Sequence, residues 1–295
     1  MHVVAAGIAF CFNSAMGSSL PSGANDQIAA YFNITSDTKL VLLTSLYLIG
    51  YAVGPLLFGP MSEYLGRRPV LIASYTGYTL FTMACALAPT YPALLIFRLL
   101  CGLNAATPNA VLGGLFSDIY DNPKQRGTAM AIFMFVAPVG PELSPMISGF
   151  IATVSWQWTF WFGLIAAAVG LPLVILMPET YVPVLIQKRQ AKASSSSASQ
   201  EKDIPKKDTG TIVREMSQVF TRPFLMAARE PLVLFTSLYL ALIYSVFYLF
   251  FQAYPIIFQG MYERWTIVTD SPELTRVTRT IRNVTGNGRP GLYSK

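Results

Sequence analysis

Charged residues are scarce in this 295-residue sequence. Asp, Glu, Lys and Arg together make up 12% of it, whereas soluble globular chains carry roughly 25%. Hydrophobic residues make up 53% of the chain, and the mean hydropathy is +0.47. This composition is atypical of soluble enzymes and indicates a membrane protein.

Residues that carry catalysis or bind metals are also few. His2 is the only histidine, no Ser-His-Asp set is found, and no G-x-x-x-x-G-K-[ST] nucleotide-binding loop occurs. The cysteines Cys11, Cys85 and Cys101 lie inside apolar runs without metal-binding spacing, and we predict that they are buried packing residues. The sequence therefore predicts a protein that is not an enzyme and uses neither a cofactor nor a metal.

Long apolar runs dominate the chain instead. A helix of about 20 apolar residues spans a bilayer, and seven runs of this kind occur. They are Met1–Leu20, Leu40–Phe58, Val70–Ala88, Pro92–Phe116, Gly127–Val154, Gln157–Met177 and Pro231–Gly260. Arg98 is the only charge in the fourth run, and Glu142 is the only charge in the fifth. These runs predict an all-α integral membrane protein.

Positive charge lies in alternate loops. The loops after the second, fourth and sixth runs hold two, two and nine Lys or Arg residues, whereas the other loops hold only Lys39. Because cytosolic loops carry excess Lys and Arg, we predict a cytosolic N-terminus. The N-x-[ST] sequon at Asn33 then lies outside and is a glycosylation candidate. The net charge of +6 reflects this topology, so no nucleic-acid partner is predicted.

Composition divides the chain into four parts. Residues 1–177 are predicted to form a six-helix bundle, 178–230 a Ser- and Lys-rich, partly disordered cytosolic linker, and 231–260 a seventh spanning helix. Residues 261–295 are polar and rich in Arg. They follow the seventh run on the side predicted to be outside, which contradicts the excess of Lys and Arg expected in cytosolic segments. We interpret this tail as non-native to the fold, because a truncated or mis-spliced coding sequence would produce such a segment.

The first run has one alternative interpretation, a secretory signal peptide. No Lys or Arg precedes its apolar part, and Asn13 and Ser14 interrupt it, which disfavours a signal peptide. We therefore expect the chain to begin inside a spanning helix, without a cytosolic leader.

The segment "GPMSEYLGRRP", residues 59–69, joins the second and third runs. Gly66 can adopt the positive φ of a tight reversal, and Pro69 suits the first turn of the next helix. Arg67 and Arg68 are predicted to hold the segment in the cytosol. Glu63 is expected to pair with an arginine or to cap a helix N-terminus. A generic positive-inside turn is the alternative.

These residues resemble the signature loop of the major facilitator superfamily. Gly59, Glu63, Gly66, Arg67 and Arg68 match its pattern G-x-x-x-[DE]-x-x-G-R-[RK]. Further segments resemble the family in the same order, namely "FRLLCGLNAATPNAVLGGLFSDIY", "NPKQRG", "VGPELSPMISGF", "MPETY" and "REPLVLFTSLYLALIYSVFYLFFQAYPIIFQG".

The third of these segments resembles the fifth-helix motif of the family's antiporters, G-P-x-x-G-P. Gly140, Pro141 and Pro145 match it, and Gly149 follows on the same helix. Ser144 departs from the motif because the pattern has glycine there, and Glu142 fills an open position. Pro138, Pro141 and Pro145 are expected to bend this helix and to free carbonyls that line a cavity.

The resemblance implies a secondary transporter that exports drugs, toxins or other small organic molecules in exchange for protons. Its expected partners are membrane lipids, a small-molecule substrate and protons, and its expected location is the plasma membrane. The family has twelve spans in two halves around a midplane site, and seven are found here. The alternatives are a non-functional truncated half-transporter and, less favoured, a seven-helix receptor, whose N-terminus would lie outside.

Several residues are candidates for coupling. Arg98, Gly102 and Asn109 are spaced to share one helical face, which predicts a cavity-facing stripe; the alternative is an arginine that reaches the outer headgroups. Glu142 is a candidate proton carrier, with a solvated carboxylate as the alternative. Asp118 and Arg126, on either side of the loop after the fourth run, are candidates for a cytosolic gate.

Overall fold

The computed structural model describes residues 2–179 and 229–261, together with Tyr181 and Ile186, and these residues are predominantly helical. The linker residues 182–185 and 187–228 and the tail from 262 to 295 lie outside the described residues. The helices are α1 (His2–Ser19), α2 (Asn25–Phe32), α3 (Asp37–Leu65), α4 (Arg67–Ala86), α5 (Tyr91–Ala105), α6 (Thr107–Ile119), α7 (Pro123–Ala152), α8 (Trp156–Ile175) and α9 (Pro231–Met261).

Each apolar run predicted from the sequence lies largely in helix where the structure describes it. Among the described residues, six helical segments are long and apolar enough to cross a membrane: Val3–Phe32, Thr38–Leu65, Tyr91–Ile119, Pro123–Ala152, Trp156–Ile175 and Pro231–Phe250. The third predicted run corresponds to α4, whose 20 residues extend about 30 Å at 1.5 Å per residue. The prediction of an all-α membrane protein is confirmed.

Two spans are interrupted where their sequences disfavour a regular helix. The first continues past its predicted end at Leu20 through the 3₁₀ segment Leu20–Ala24 into α2. Pro21 lies in that segment and cannot donate a backbone hydrogen bond. The fourth span changes from α5 to α6 at Ala106, just before Pro108. Both breaks lie inside a span, so spans and helices do not correspond one to one.

The segment between the second and third spans is mostly helical and only one residue of it forms a turn. α3 continues through Gly59 and Glu63 to Leu65, although Pro55 and Pro60 lie inside it. The chain reverses at Gly66, which has φ of 101°. The predicted positive φ of Gly66 is confirmed. The other residues that match the signature loop lie on the ends of the two helices rather than in a loop, with Gly59 and Glu63 on α3 and Arg67 and Arg68 on α4. α3 tolerates its prolines because other groups can satisfy the freed carbonyls.

α7 retains one continuous helical span despite its three internal prolines. Pro145 has no N–H, so the carbonyl of Pro141, four residues earlier, lacks its usual helical donor. The hydroxyl of Ser19 donates to that carbonyl at 2.8 Å. The proline therefore creates a hydrogen-bonding position between α7 and the end of α1.

The bundle is organised around α1. α1 packs against α7 and α8, α3 packs against α5, and α4 packs against both α5 and α8. The main core lies between these helices and includes Phe10, Tyr75 and Phe116. Large apolar side chains such as Phe135 and Val169 are exposed on the outside, as expected where a protein meets lipid.

Candidate functional site

A cavity of about 670 Å³ lies between the bundle and α9. Its size is within the range of small-molecule sites, about 300–1,000 Å³. α1, α3, α6, α7 and α9 all contribute to its wall, so it is built from residues that are far apart in the sequence. From α3 alone it is lined by Val41, Thr44, Ser45, Leu48 and Tyr51.

The cavity wall combines aromatic rings with hydroxyl and amide groups. Asn109 Nδ2 donates to the Tyr51 hydroxyl at 2.8 Å, which joins α6 to α3. The hydroxyls of Ser18 and Tyr248 are 3.1 Å apart and join α1 to α9. These contacts fix polar groups from four helices in the wall of the space that a ligand would occupy.

Arg98 lies behind this wall rather than in it. Its side chain is 2% exposed. Nε donates to the Leu43 carbonyl at 3.1 Å, and the two terminal nitrogens donate to the carbonyls of Gly17 and Ser18 at 2.8 and 2.9 Å. The guanidinium also lies 4.6 Å from the centre of the Tyr47 ring, a cation–π distance. Arg98 therefore links α5 to α1 and α3.

The predicted cavity-facing stripe is thus not formed as a unit. Asn109 lines the cavity, whereas Arg98 faces the bundle interior and does not reach outer headgroups. Gly102 packs against α3: a Cβ built on it would lie 2.1 Å from the backbone oxygen of Tyr47. The prediction that these residues line the cavity together is therefore wrong. They lie on two separate helices, α5 and α6, and α3 covers the residues on α5.

The residues of the fifth-helix motif fall into different environments. Pro141 lines the cavity. Gly140 packs on α1, and a Cβ added to it would lie 2.8 Å from the Phe12 backbone oxygen. A Cβ added to Gly149 would have no atom within 4 Å. Pro145 frees the carbonyl that binds Ser19. The Glu142 side chain is exposed and lies outside the cavity lining.

A second polar cluster surrounds the turn at Gly66. Arg67 is 8% exposed, and its Nε lies 3.3 Å from Asp118 Oδ2. A terminal nitrogen of Arg67 donates to Ser62 Oγ at 2.9 Å, and the guanidinium lies 5.2 Å from the centre of the Tyr181 ring. The end of α3, the start of α4 and the end of α6 are thereby joined.

The carboxylate of Glu179 caps the N-terminus of α4. It accepts hydrogen bonds from the backbone N–H of Arg67 at 3.0 Å and of Arg68 at 3.2 Å. Glu63, the residue expected to cap a helix or pair with an arginine, is instead exposed on α3 and makes no hydrogen bond within the described residues. Sequence reasoning missed Glu179, although "MPETY" marked the end of the sixth span.

The remaining candidates lie at the two ends of the bundle. Of the gate candidates, Asp118 is paired with Arg67, whereas Arg126 is exposed near the start of α7 and forms no ion pair with a described residue. A Cβ added to Gly59 would have no atom within 4 Å. The Gly59 carbonyl accepts a hydrogen bond from the Ser62 hydroxyl. Asn33 is exposed at the end of α2 in a left-handed conformation.

A sequence model of the major facilitator superfamily matches residues 5–269. The chain belongs to this superfamily. It is 34% identical over 269 residues to the "MFS-type transporter traF" of Penicillium crustosum, covering 90% of this chain and 53% of the relative. It is 36% identical over 251 residues to the "Major facilitator superfamily multidrug transporter mdrA" of Aspergillus fumigatus, covering 84% and 41%.

A third relative is the "Ascochitine biosynthesis cluster MFS transporter" of Didymella fabae, 36% identical over 235 residues, with 78% of this chain and 45% of the relative covered. The chain spans about half the length of these relatives. Among solved structures, the partially occluded inward-open xylose transporter XylE from E. coli has a TM-score of 0.58 at 17% identity, over 79% of this chain and 61% of that chain. The similarity to XylE shows the fold alone. The family consists of transporters and not of enzymes.

Proposed function

We propose that this protein exports small organic molecules in exchange for protons, as a secondary active transporter. The observation that carries the proposal is the cavity between the bundle and α9, which is large enough for such a molecule and lined by side chains from five helices. The names of the relatives from Aspergillus fumigatus and Didymella fabae, a multidrug transporter and a biosynthesis-cluster transporter, support an organic substrate.

Arg98 connects residues of the cavity wall to the interior of the bundle. Its guanidinium holds the backbone carbonyl of Ser18, whose hydroxyl contacts Tyr248 at the cavity. It also holds the carbonyl of Leu43, and the next residue, Thr44, lines the cavity. A substrate that displaces either wall therefore alters the anchors of Arg98. On this proposal Arg98 acts as a positioning residue for coupling.

Proton binding needs a group that titrates, and Glu142 is the proposed one. It is the only acidic residue within the fifth apolar run, and its exposed carboxylate is accessible on α7. Asp118 and Arg67 are proposed to form part of a cytosolic gate, because their ion pair joins α6 to the start of α4. Arg126 is a further proposed gate residue.

The proposed location is the plasma membrane, with a cytosolic N-terminus and linker and with Asn33 outside. In intact cells, external protease should leave the linker uncut, and a glycosidase should increase the mobility of the wild-type chain but not of Asn33→Gln. Cleavage within residues 188–207 by external protease would contradict this topology.

Efflux from cells that lack their own exporters tests the proposed activity. Residues 1–261, fused to the part of the Penicillium crustosum relative that lies beyond the matched region, should lower the accumulation of fluorescent organic compounds, and an ionophore that collapses the proton gradient should abolish this effect. Efflux that survives the ionophore would exclude proton exchange. Absence of efflux, with the fusion present at the cell surface, would contradict the proposed function.

The chain spans about half the length of its relatives, and the second candidate is that these 295 residues need the remaining half for transport. The 295-residue chain, expressed in the same cells at the same surface level as the fusion, distinguishes the two. We expect no gradient-dependent efflux from it. Efflux equal to that of the fusion would exclude this candidate.

A further inference from the structure

We propose that the cavity binds uncharged aromatic molecules that carry hydrogen-bonding groups, and that it discriminates against organic cations. This inference rests on the proposed function and adds the chemical class of its substrate. Its basis is the composition of the described cavity wall, which contains no Asp, Glu, Lys, Arg or His. An organic cation in this wall would therefore have no carboxylate partner.

Aromatic rings form one part of the wall. Tyr51 of α3 faces the space together with Tyr244, Phe247 and Tyr248 of α9. Aromatic pairs prefer offset-stacked or edge-to-face arrangements with ring centroids about 4.5–7 Å apart. Rings from two helices that line a space of about 670 Å³ are suited to a planar or polycyclic ligand.

Hydroxyl groups supply the polar part of the wall. Thr44, Ser45 and Ser245 line the cavity, and their side chains make no hydrogen bond to any described residue. Each hydroxyl can donate and accept, so these groups can pair with a hydroxyl, carbonyl or amide of a ligand. A small number of such groups in a largely apolar pocket fixes the orientation of a bound molecule.

The described wall has no negative charge, and a positive charge lies behind it, so both disfavour a bound cation. Moving an ammonium group from water into a site without a counter-charge is costly. Arg98 adds positive potential, because it donates to the Ser18 carbonyl while the Ser18 side chain lines the cavity. Within the described residues, Arg98 has carbonyl and aromatic partners but no carboxylate to neutralise its charge.

Three probes with one ring system test this inference: pyrene-1-butanol, pyrene-1-butylammonium and pyrene-1-butyrate. The full 295-residue chain is placed in phosphatidylcholine nanodiscs, and binding is followed by energy transfer from tryptophan to pyrene, with empty nanodiscs subtracted. We expect the alcohol to bind on the order of tenfold more tightly than the ammonium, with the carboxylate between them.

Asn109→Asp introduces a carboxylate into the wall. Because Tyr51 can donate to this carboxylate instead of accepting from Asn109, and because position 109 lies in the first turn of α6, the variant is expected to fold. It should bind the ammonium on the order of tenfold more tightly than the wild type does. Gln125→Glu adds the same charge at an exposed position of α7 and should leave the affinities of all three probes unchanged.

The outcomes separate this inference from the proposed function. Equal or tighter binding of the ammonium than of the alcohol to the wild type would overturn the inference while leaving the cavity as a ligand site. An equal gain in ammonium binding for Gln125→Glu and Asn109→Asp would also overturn it, because the effect would then be one of surface charge. No saturable binding of any probe would overturn both the inference and the proposed function.

Discussion

Within the described residues two arginines of the bundle are buried, and their guanidinium groups have different kinds of partner. Arg98, between the helices, binds three backbone carbonyls on α1 and α3. Arg67, at the turn after α3, binds the side chains of Asp118 and Ser62. Carbonyl partners are part of the helices themselves, whereas side-chain partners can be exchanged by mutation or rearranged.

The difference indicates different tasks. An arginine held by backbone groups of two other helices fixes the positions of those helices. An arginine held by a carboxylate at the end of the bundle forms a contact that can open when helices move, because a surface-near ion pair contributes little free energy. Arg98 is therefore expected to stay bonded to α1 and α3 and to transmit their displacements to α5, whereas the contact between Arg67 and Asp118 is expected to open.

The largest expected effect is that of Arg98→Ala. Hydrogen bonds to charged groups contribute about 1.5–3 kcal/mol each, so losing three of them should lower the free energy of unfolding by roughly 4–9 kcal/mol. SDS titration in mixed micelles measures this change. Arg126→Ala, which removes an exposed arginine, is the control and should have no effect. Wild-type stability of Arg98→Ala would show that Arg98 is not a structural link.

The glycine beside each arginine extends the comparison. A Cβ on Gly102 would meet the Tyr47 backbone at 2.1 Å, whereas a Cβ on Gly114 would meet the end of the Arg67 side chain at 2.3 Å. Because backbone cannot move aside as a flexible side chain can, we expect Gly102→Ala to lower the free energy of unfolding by about 2 kcal/mol, and Gly114→Ala to lower it by clearly less. The same titration measures both, and equal losses would contradict the distinction.

Asp118→Asn removes the carboxylate partner of Arg67. Since both side chains are partly shielded from solvent, we expect the free energy of unfolding, measured by the same SDS titration, to fall by about 1–2 kcal/mol. Asp121→Asn is the matched control, because Asp121 is exposed three residues away and forms no ion pair within the described residues. A double variant with exchanged partners, Arg67→Asp with Asp118→Arg, should recover part of the loss. Equal losses for Asp118→Asn and Asp121→Asn would mean that the pair contributes nothing.

Salt gives the smallest expected effect. Raising the ionic strength from 0.1 to 1 M shortens the Debye length from about 10 to about 3 Å. The contribution of the Arg67–Asp118 pair, measured as the difference between wild type and Asp118→Asn, should fall by less than about 1 kcal/mol. The contribution of Arg98 should not change, because Arg98 is almost fully enclosed. Equal salt sensitivity at both sites would remove the distinction between them.

Much of the fold could be predicted from short stretches of sequence. Apolar runs of about 20 residues predict spanning helices, because in a bilayer the backbone must satisfy its hydrogen bonds within each segment. Gly66 predicted the reversal because its positive φ is a local property. The break at Ala106 was missed, although Pro108 marks it.

The candidate sites depended on contacts that no local pattern contains. Arg98 and Gly17 are 81 residues apart, and Arg67 and Glu179 are 112 apart. The sequence by itself determined the helices, the turn at Gly66 and the intramembrane arginine. Only the tertiary structure decided that Arg98 faces carbonyls and that Glu179 replaces Glu63 as the cap of α4. The physical reason is that spacing places side chains on one face of a helix, whereas helix packing decides which neighbour covers that face.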